Sequence, residues 1–287
     1  MTGVRQSRTI RHSQARAFCL QDRDRWIIES LGKMRFLTTT QLARLVFGGS
    51  RWAANKRLRK LLDAGLIRSW VRDLAEDNVY SLDRKGLGVL DDPDLGTNHT
   101  VARGLDGNLT HLLSINQARI ALVLDLPAAG GEIAWWRSDW ELRARFREPV
   151  IPDALFEVHW AGMERTVFAL EVDNNTRSSR RFLAKILRYR SLAARGGSYG
   201  VSDFVTLVVG RDGRSQERYR LGVGHIRVDS RIWFAALHDF DSNGACAPIW
   251  TSVAGQEGYS LRDLSSLPYG KAGSSAVNPN TTEEIQN

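Results

Sequence analysis

Apolar residues in the first third of the chain recur at helical spacing. The run DRDRWIIESLGKM sets Trp26, Ile27, Ser30 and Leu31 on one face with acidic residues in its first turn, which predicts a helix beginning at Asp22. A second helix is expected through LARLVF: the threonines at 38–40 supply an N-cap, and Gly48, Gly49 and Ser50 end it. The segment RWAANKRLRKLLDAGLI repeats apolar residues at Trp52, Leu58, Leu61, Leu62 and Leu66, and Gly65 stops it as a left-handed residue just past the helix end. Two short β-prone runs, 67–71 and 79–82, follow as a hairpin would.

Residues 91–108 are rich in Asp, Gly and Asn and poor in apolar residues, so a domain boundary is expected there. Beyond it the pattern alternates between periods. LTHLLSINQARIALVLDL reads as an amphipathic helix and EIAWWRS as a strand, with a short DWELRARF segment next. The strands DALFEVHW and RTVFALEVD are joined by residues 161–164. A long helix over about 178–195 and the apolar strand DFVTLVVG come next, and further elements run through RIWFAALHDF to about residue 264. The chain therefore divides into a basic arm (1–21), a small helical domain (22–90), a linker (91–108), a larger α/β domain (109–268) and a tail of disordered composition (269–287).

Charge sharpens this division. The net charge of +8 is unevenly spread: residues 1–72 carry 16 Lys and Arg against 4 Asp and Glu, and the remainder carries 24 against 28. A basic front on a mildly acidic body points to a polyanion as partner, since neutralised phosphates release condensed counterions; a solubilising tail is the plainer alternative. No stretch has the apolar length of a membrane span, the N-terminus lacks the apolar core of a secretory signal, and Cys19 and Cys246 have no metal-ligand spacing. A cytoplasmic protein that does not engage membranes is the expectation. No GxxxxGK[ST] or GxSxG motif supports ATP-driven or acyl-transfer chemistry.

Three helices, the last basic, followed by a hairpin is the order of a winged helix-turn-helix, and TTTQLARLVFGGSRWAANKRLRKLLDAGLIRSW resembles the winged-helix domains of bacterial regulators and plasmid proteins. Arg51, Lys56, Arg57, Arg59 and Lys60 of the third helix are the candidate DNA-binding residues, the alternative being a winged helix used as a protein contact.

The chemistry-bearing stretch is Pro152-Asp153, then Glu171-Val172-Asp173. A hairpin turning near Gly162 or Met163 brings Asp153 opposite Val172, give or take one residue, so three carboxylates meet at one end. Glu171 and Asp173 share a strand face. Such a cluster suits Mg²⁺ or Mn²⁺, which take oxygen ligands, and the plainer reading is a chance cluster of surface acids. Arg181, Lys185 and Tyr189, four apart on the following helix, form one stripe that faces either the carboxylates or DNA backbone. Tyr189 is also a candidate nucleophile, against a packing role.

Over most of residues 22–265 the chain resembles the PD-(D/E)XK nuclease superfamily, and within it the plasmid replication-relaxation proteins that include MobC-type relaxases. The resemblance rests on THLLSINQARIAL, IPDALFEV and FALEVDNNTRSSRRFLAKILRYRSL. It implies an α/β (α+β) fold of winged helix plus nuclease-like domain, and a protein that binds plasmid-origin DNA and nicks it. Asp153 and Glu171 would be metal ligands, joined by Asp173, which stands where the superfamily has its lysine. Lys185 is the candidate replacement, and His111 and Asn116 on the domain's first helix are candidate auxiliary residues. The implied partners are duplex DNA, plasmid transfer or replication proteins and a second copy of the chain. A non-catalytic initiator or transcriptional regulator is the other function this pattern admits.

Overall fold

A computed structural model describes residues 18–71, 76–90, 108–163, 165–174, 179–193, 198–224 and 231–267. Most of the basic arm and linker and all of the tail lie outside the described residues. The chain divides into two compact units, 1–109 and 110–287.

The first unit runs α1 (Asp22–Met34), β1 (Leu37–Thr38), α2 (Thr39–Val46), α3 (Arg51–Asp63), β2 (Ile67–Trp70), β3 (Val79–Leu82) and a single turn α4 (Arg84–Leu87). Its strands form a sheet in the order β1-β3-β2, antiparallel throughout. Thr38 caps α2 by accepting from the Gln41 amide while its own N–H donates to Gln41 Oε1 at 3.1 Å, which satisfies two backbone donors at once. Gly48 and Gly49 turn the chain between α2 and α3 at φ of 56° and 86°, conformations that favour glycine.

Two expectations change in this unit. Trp26 and Trp52, assigned by spacing to buried faces, are 47% and 74% exposed, and the core is built instead from Ile27, Ile28, Leu31, Leu42, Ala54, Leu58 and Leu61. Period alone does not tell the edge of an apolar face from its centre. Arg57, assigned to DNA, turns inward: its guanidinium pairs with the fully buried Asp24 of α1, its Nε donates to Asp24 Oδ1 at 2.6 Å, and its Nη2 donates to the Cys19 carbonyl at 3.2 Å. A carboxylate without access to water needs a permanent cation beside it, and only Arg offers two parallel donors for the purpose.

The second unit runs α5 (Leu109–Asp125), β4 (Gly131–Ser138), α6 (Asp139–Arg145), β5 (Ala154–Trp160), β6 (Thr166–Asp173), α7 (Ser179–Ala193), β7 (Val205–Gly210), α8 (Gly213–Gly224), β8 (Ile232–Ala236), α9 (Leu237–Ser242), β9 (Thr251–Ser252) and α10 (Leu261–Ser266). One mixed six-stranded sheet holds it together in the order β4-β5-β6-β7-β8-β9. β4, β5 and β6 pair antiparallel, β6, β7 and β8 parallel, and β9 closes the far edge antiparallel. The parallel strand β7, VTLVVG, is buried along its whole length, as a strand covered on both faces must be.

Each face has its own core. On one side Ile115, Ala118 and Leu122 of α5 lie over Phe156, Phe168, Leu170 and Val172; on the other Phe182 and Ile186 of α7 and Tyr219 of α8 cover Leu155, Ala169 and Val208. Phe156 and Phe168 are fully buried and stacked at 5.3 Å, each worth about 1.5–3 kcal/mol of burial. A slip of one residue would send both to the opposite face, so this pair fixes the hairpin register. α8 approaches the sheet closely over Gly210, where a Cβ would stand 2.8 Å from the Gln216 backbone nitrogen.

Replacing Arg57 by Ala strands Asp24 as an uncompensated buried charge, a loss of about 3 kcal/mol. Amide hydrogen exchange in α1 and α3 should accelerate roughly a hundredfold at constant pH where exchange follows the opening of this unit. Unchanged protection would show that the pair contributes nothing to holding the two helices together.

Candidate functional site

The hairpin register places the acids. Ala154 pairs with Leu170, and the Asp153 N–H donates to the Leu170 carbonyl at 3.0 Å, so one further step sets Asp153 opposite Glu171. This lies within one residue of the expected partner, Val172, and it puts both carboxylates on the α7 side of the sheet. Extended strands then deliver them to a common end of the hairpin.

Lys185 enters from α7. Its Nζ lies 2.5 Å from Glu171 Oε2 and 4.0 Å from Asp153 Oδ1, so one ammonium serves two buried carboxylates. Tyr189, one turn further along the same stripe, donates its hydroxyl to Glu171 Oε1. Asp153 is fixed from two other directions: the Val172 N–H donates to Oδ2 at 2.8 Å, and His111 Nε2 stands 3.2 Å from Oδ1. His111 lies on the first turns of α5, which is tied to the end of β6 by a 3.3 Å bond from the Asn174 side-chain amide to the Thr110 carbonyl.

This environment separates the two acids. Burial pushes Glu171 up to about 7, against the pull of Lys185, with the neighbouring charge of Asp153 adding to the rise. Burial acts in the same direction on Asp153, but Lys185, the His111 contact and the Val172 amide together hold it below the ordinary carboxylate range. Near neutrality Asp153 is the charged member and Glu171 is poised between forms. Tyr189 is driven well above the usual phenol range by burial and by Glu171, so it stays protonated as a donor, a state that opposes the nucleophilic role.

Asp173 shares the Glu171 face but is engaged elsewhere, by the hydroxyl of the buried Tyr219 on α8. Arg218 Nη2 in turn donates to that hydroxyl at 2.9 Å. The three acids therefore do not form one ligand set: among the described residues no group of three or more His, Cys, Asp and Glu is placed to hold a metal ion. Tyr219 was outside the expected site because GRSQERYRLGVG has weak apolar periodicity, and only the packing of α8 over Gly210 brings the phenol to Asp173. Asn116 is buried on α5, and Arg181, one turn before Lys185, is exposed.

The basic helix α3 has its own geometry. Arg51 pairs with Asp77 and donates to Thr40 Oγ1 at 2.9 Å, while Asp77 accepts from the Thr40 amide at 3.1 Å in the first turn of α2. Arg51 thus helps fix the α2–α3 turn while remaining 59% exposed along its side chain. Lys56, Arg59 and Lys60 are exposed, as is Asn55; Leu58 and Leu61 hold the opposite stripe in the core.

Fold and site together define a mixed α/β protein with a lysine-bridged pair of buried carboxylates at one end of a six-stranded sheet. The chain belongs to the replication-relaxation family, whose model matches residues 28–208, more than half of its length. That membership supports a part in plasmid replication or relaxation. No curated protein and no solved structure matches the chain. No helix among the described residues is long and apolar enough to cross a membrane.

A carboxyl whose pKa is higher folded than unfolded binds more protons when folded, so the Glu171 contribution to stability falls as pH rises from about 4.5 to about 7. The depressed Asp153 acts oppositely, its contribution being lost as pH falls below the ordinary carboxylate range. Thermal unfolding followed from pH 4.5 to 8 should show the wild-type Tm declining relative to Glu171→Gln across that window. Parallel curves would mean that Glu171 ionises normally.

Proposed function

We propose that this protein binds duplex DNA at a plasmid origin through its first unit and nicks one strand with a divalent metal held in the second. The order α1-β1-α2-α3-β2-β3, with β1 joining the β2–β3 hairpin, supports reading the first unit as a winged helix-turn-helix. Lys56, Arg59 and Lys60 on α3 supply the cationic face. In the second unit the order α5-β4-β5-β6-α7-β7 supports a PD-(D/E)XK-like core.

The observation that carries nicking is the convergence of Asp153, Glu171 and Lys185 from β5's start, β6 and α7. Two opposed carboxylates fit Mg²⁺ or Mn²⁺, which accept a few protein oxygens and otherwise keep water or phosphate oxygens; they would not suffice for a cage made of protein alone. When bound, such an ion would polarise the phosphodiester and acidify water. Asp153 and Glu171 would hold it, His111 and Tyr189 would keep those two side chains oriented, and Lys185 would neutralise charge on the phosphate. Duplex DNA is the main partner in this reading, with a second copy of the chain and other plasmid transfer or replication proteins as further ones.

A specific observation favours a second reading, a non-catalytic initiator or regulator built on a nuclease-like scaffold. Asp173 stands in the place of the superfamily lysine and is bonded by Tyr219, while Lys185 and Tyr189 already satisfy both Glu171 oxygens.

Supercoiled plasmid carrying the origin, incubated with the protein and Mg²⁺ or Mn²⁺, separates the two. Nicked circles should form with wild type and not with the Asp153→Ala, Glu171→Ala double variant, and Lys185→Ala should slow nicking about a hundredfold or more. Equal inertness of wild type and double variant, with DNA binding intact, would establish the scaffold. Independently, Arg59→Ala with Lys60→Ala should lower the slope of log affinity against log salt by about one per phosphate contact removed. An unaltered slope would take α3 away from the phosphates.

A further inference from the structure

Trp52 is the most exposed of the large apolar side chains among the described residues, at 74%. It is the second residue of α3, and its ring lies 4.9 Å from Lys56 Nζ, a cation–π contact that restrains the indole without covering it. Residues 52, 55, 56 and 59 fall three, four and seven positions apart, so Trp52, Asn55, Lys56 and Arg59 form a single exposed stripe. The fold does not use this ring: the buried stripe of α3 is Ala54, Leu58 and Leu61. A bare indole embedded among cations needs a surface that is anionic at its margins and apolar at one point.

We propose that Trp52 is a sequence-determining contact of α3, packing its indole edge against the C5-methyl group of a thymine in the major groove. This rests on the DNA-binding reading above and adds the chemistry by which the helix selects sequence. In a duplex the base faces are stacked and closed to an aromatic ring, and the thymine methyl is the apolar group that the major groove offers. The first residues of a recognition helix are those that reach base edges, and Trp52 stands there with Lys56 and Arg59 positioned to engage flanking phosphates. Charge complementarity selects DNA over a protein partner, because an apolar protein surface would have to desolvate the two cations of this stripe, Lys56 and Arg59, to reach the ring.

The test uses the full chain and duplexes selected by it from a randomised pool. Each thymine of the selected duplex is replaced in turn by deoxyuracil, which removes only the methyl group. For the wild type, one replacement should weaken binding about five- to tenfold. For Trp52→Ala the same replacement should have no effect, because the two changes delete one contact. Trp52→Ala should bind the unselected pool within about twofold of wild type and with the same salt slope, since no phosphate contact is lost. Trp52→Phe should keep part of the thymine preference.

A flat deoxyuracil scan for wild type overturns the proposal, as do equal losses for wild type and Trp52→Ala at the same thymine. Identical affinities of the two proteins for every duplex overturn it as well and assign the indole to a protein surface. Failure of the wild type to bind any duplex would remove the DNA-binding reading itself, a result distinct from all of these. The high exposure of Trp52 keeps the substitution clear of the core, and far-UV circular dichroism of the variant verifies it.

Discussion

A single ammonium group between two buried carboxylates organises the larger unit. Asp153 and Glu171 face one another because the β5–β6 register demands it, and without Lys185 any ionisation of Glu171 would put a second negative charge in a space from which water is largely excluded. The cost of that arrangement is met by its surroundings. Val172 and His111 hold one acid from the strand and from α5, and Tyr189 holds the other from α7. Elements that would otherwise need only hydrophobic contact are thus pinned in direction as well as in distance.

The same logic recurs in the smaller unit with different chemistry. Asp24 is fully buried in α1, and Arg57 reaches it from α3 with two donors. Asp77 gathers the first turn of α2 and the first residue of α3 in one carboxylate. These acids orient the helices, whereas Lys56, Arg59 and Lys60 on the outer face are exposed. A count of basic residues on α3 therefore overstates what is available for binding, because two of the five are occupied by the fold.

Much of this was legible in the residues. Period, caps and glycines located α1, α2, α3, α5, β5, β6 and α7, and the turn at Gly162 was enough to bring Asp153 within one position of its actual partner. The stripe of Lys185 and Tyr189 was readable because both project from one helix at a spacing of four. What remained hidden depends on contacts distant in sequence: the inward turn of Arg57 requires knowing that Asp24 is buried, and the diversion of Asp173 requires knowing where α8 lands. β1, only two residues long, carries no pattern of its own and exists because β3 offers it an edge. The two exposed tryptophans show the limit of hydrophobicity as a guide, since an indole at the margin of an apolar face fits the period and still faces solvent.

Gly210 gives the second unit a long-range sensitivity. It ends β7 beside Asp173, and the absence of a side chain there lets the backbone of α8 settle almost onto the sheet. Even a methyl group would act as a wedge, lifting the first turns of that helix and with them the phenol of Tyr219. The bond from the Tyr219 hydroxyl to Asp173 would be lost with that shift. The seating of α8 on the strand beside Asp173 thus depends on a residue that contributes no functional group of its own.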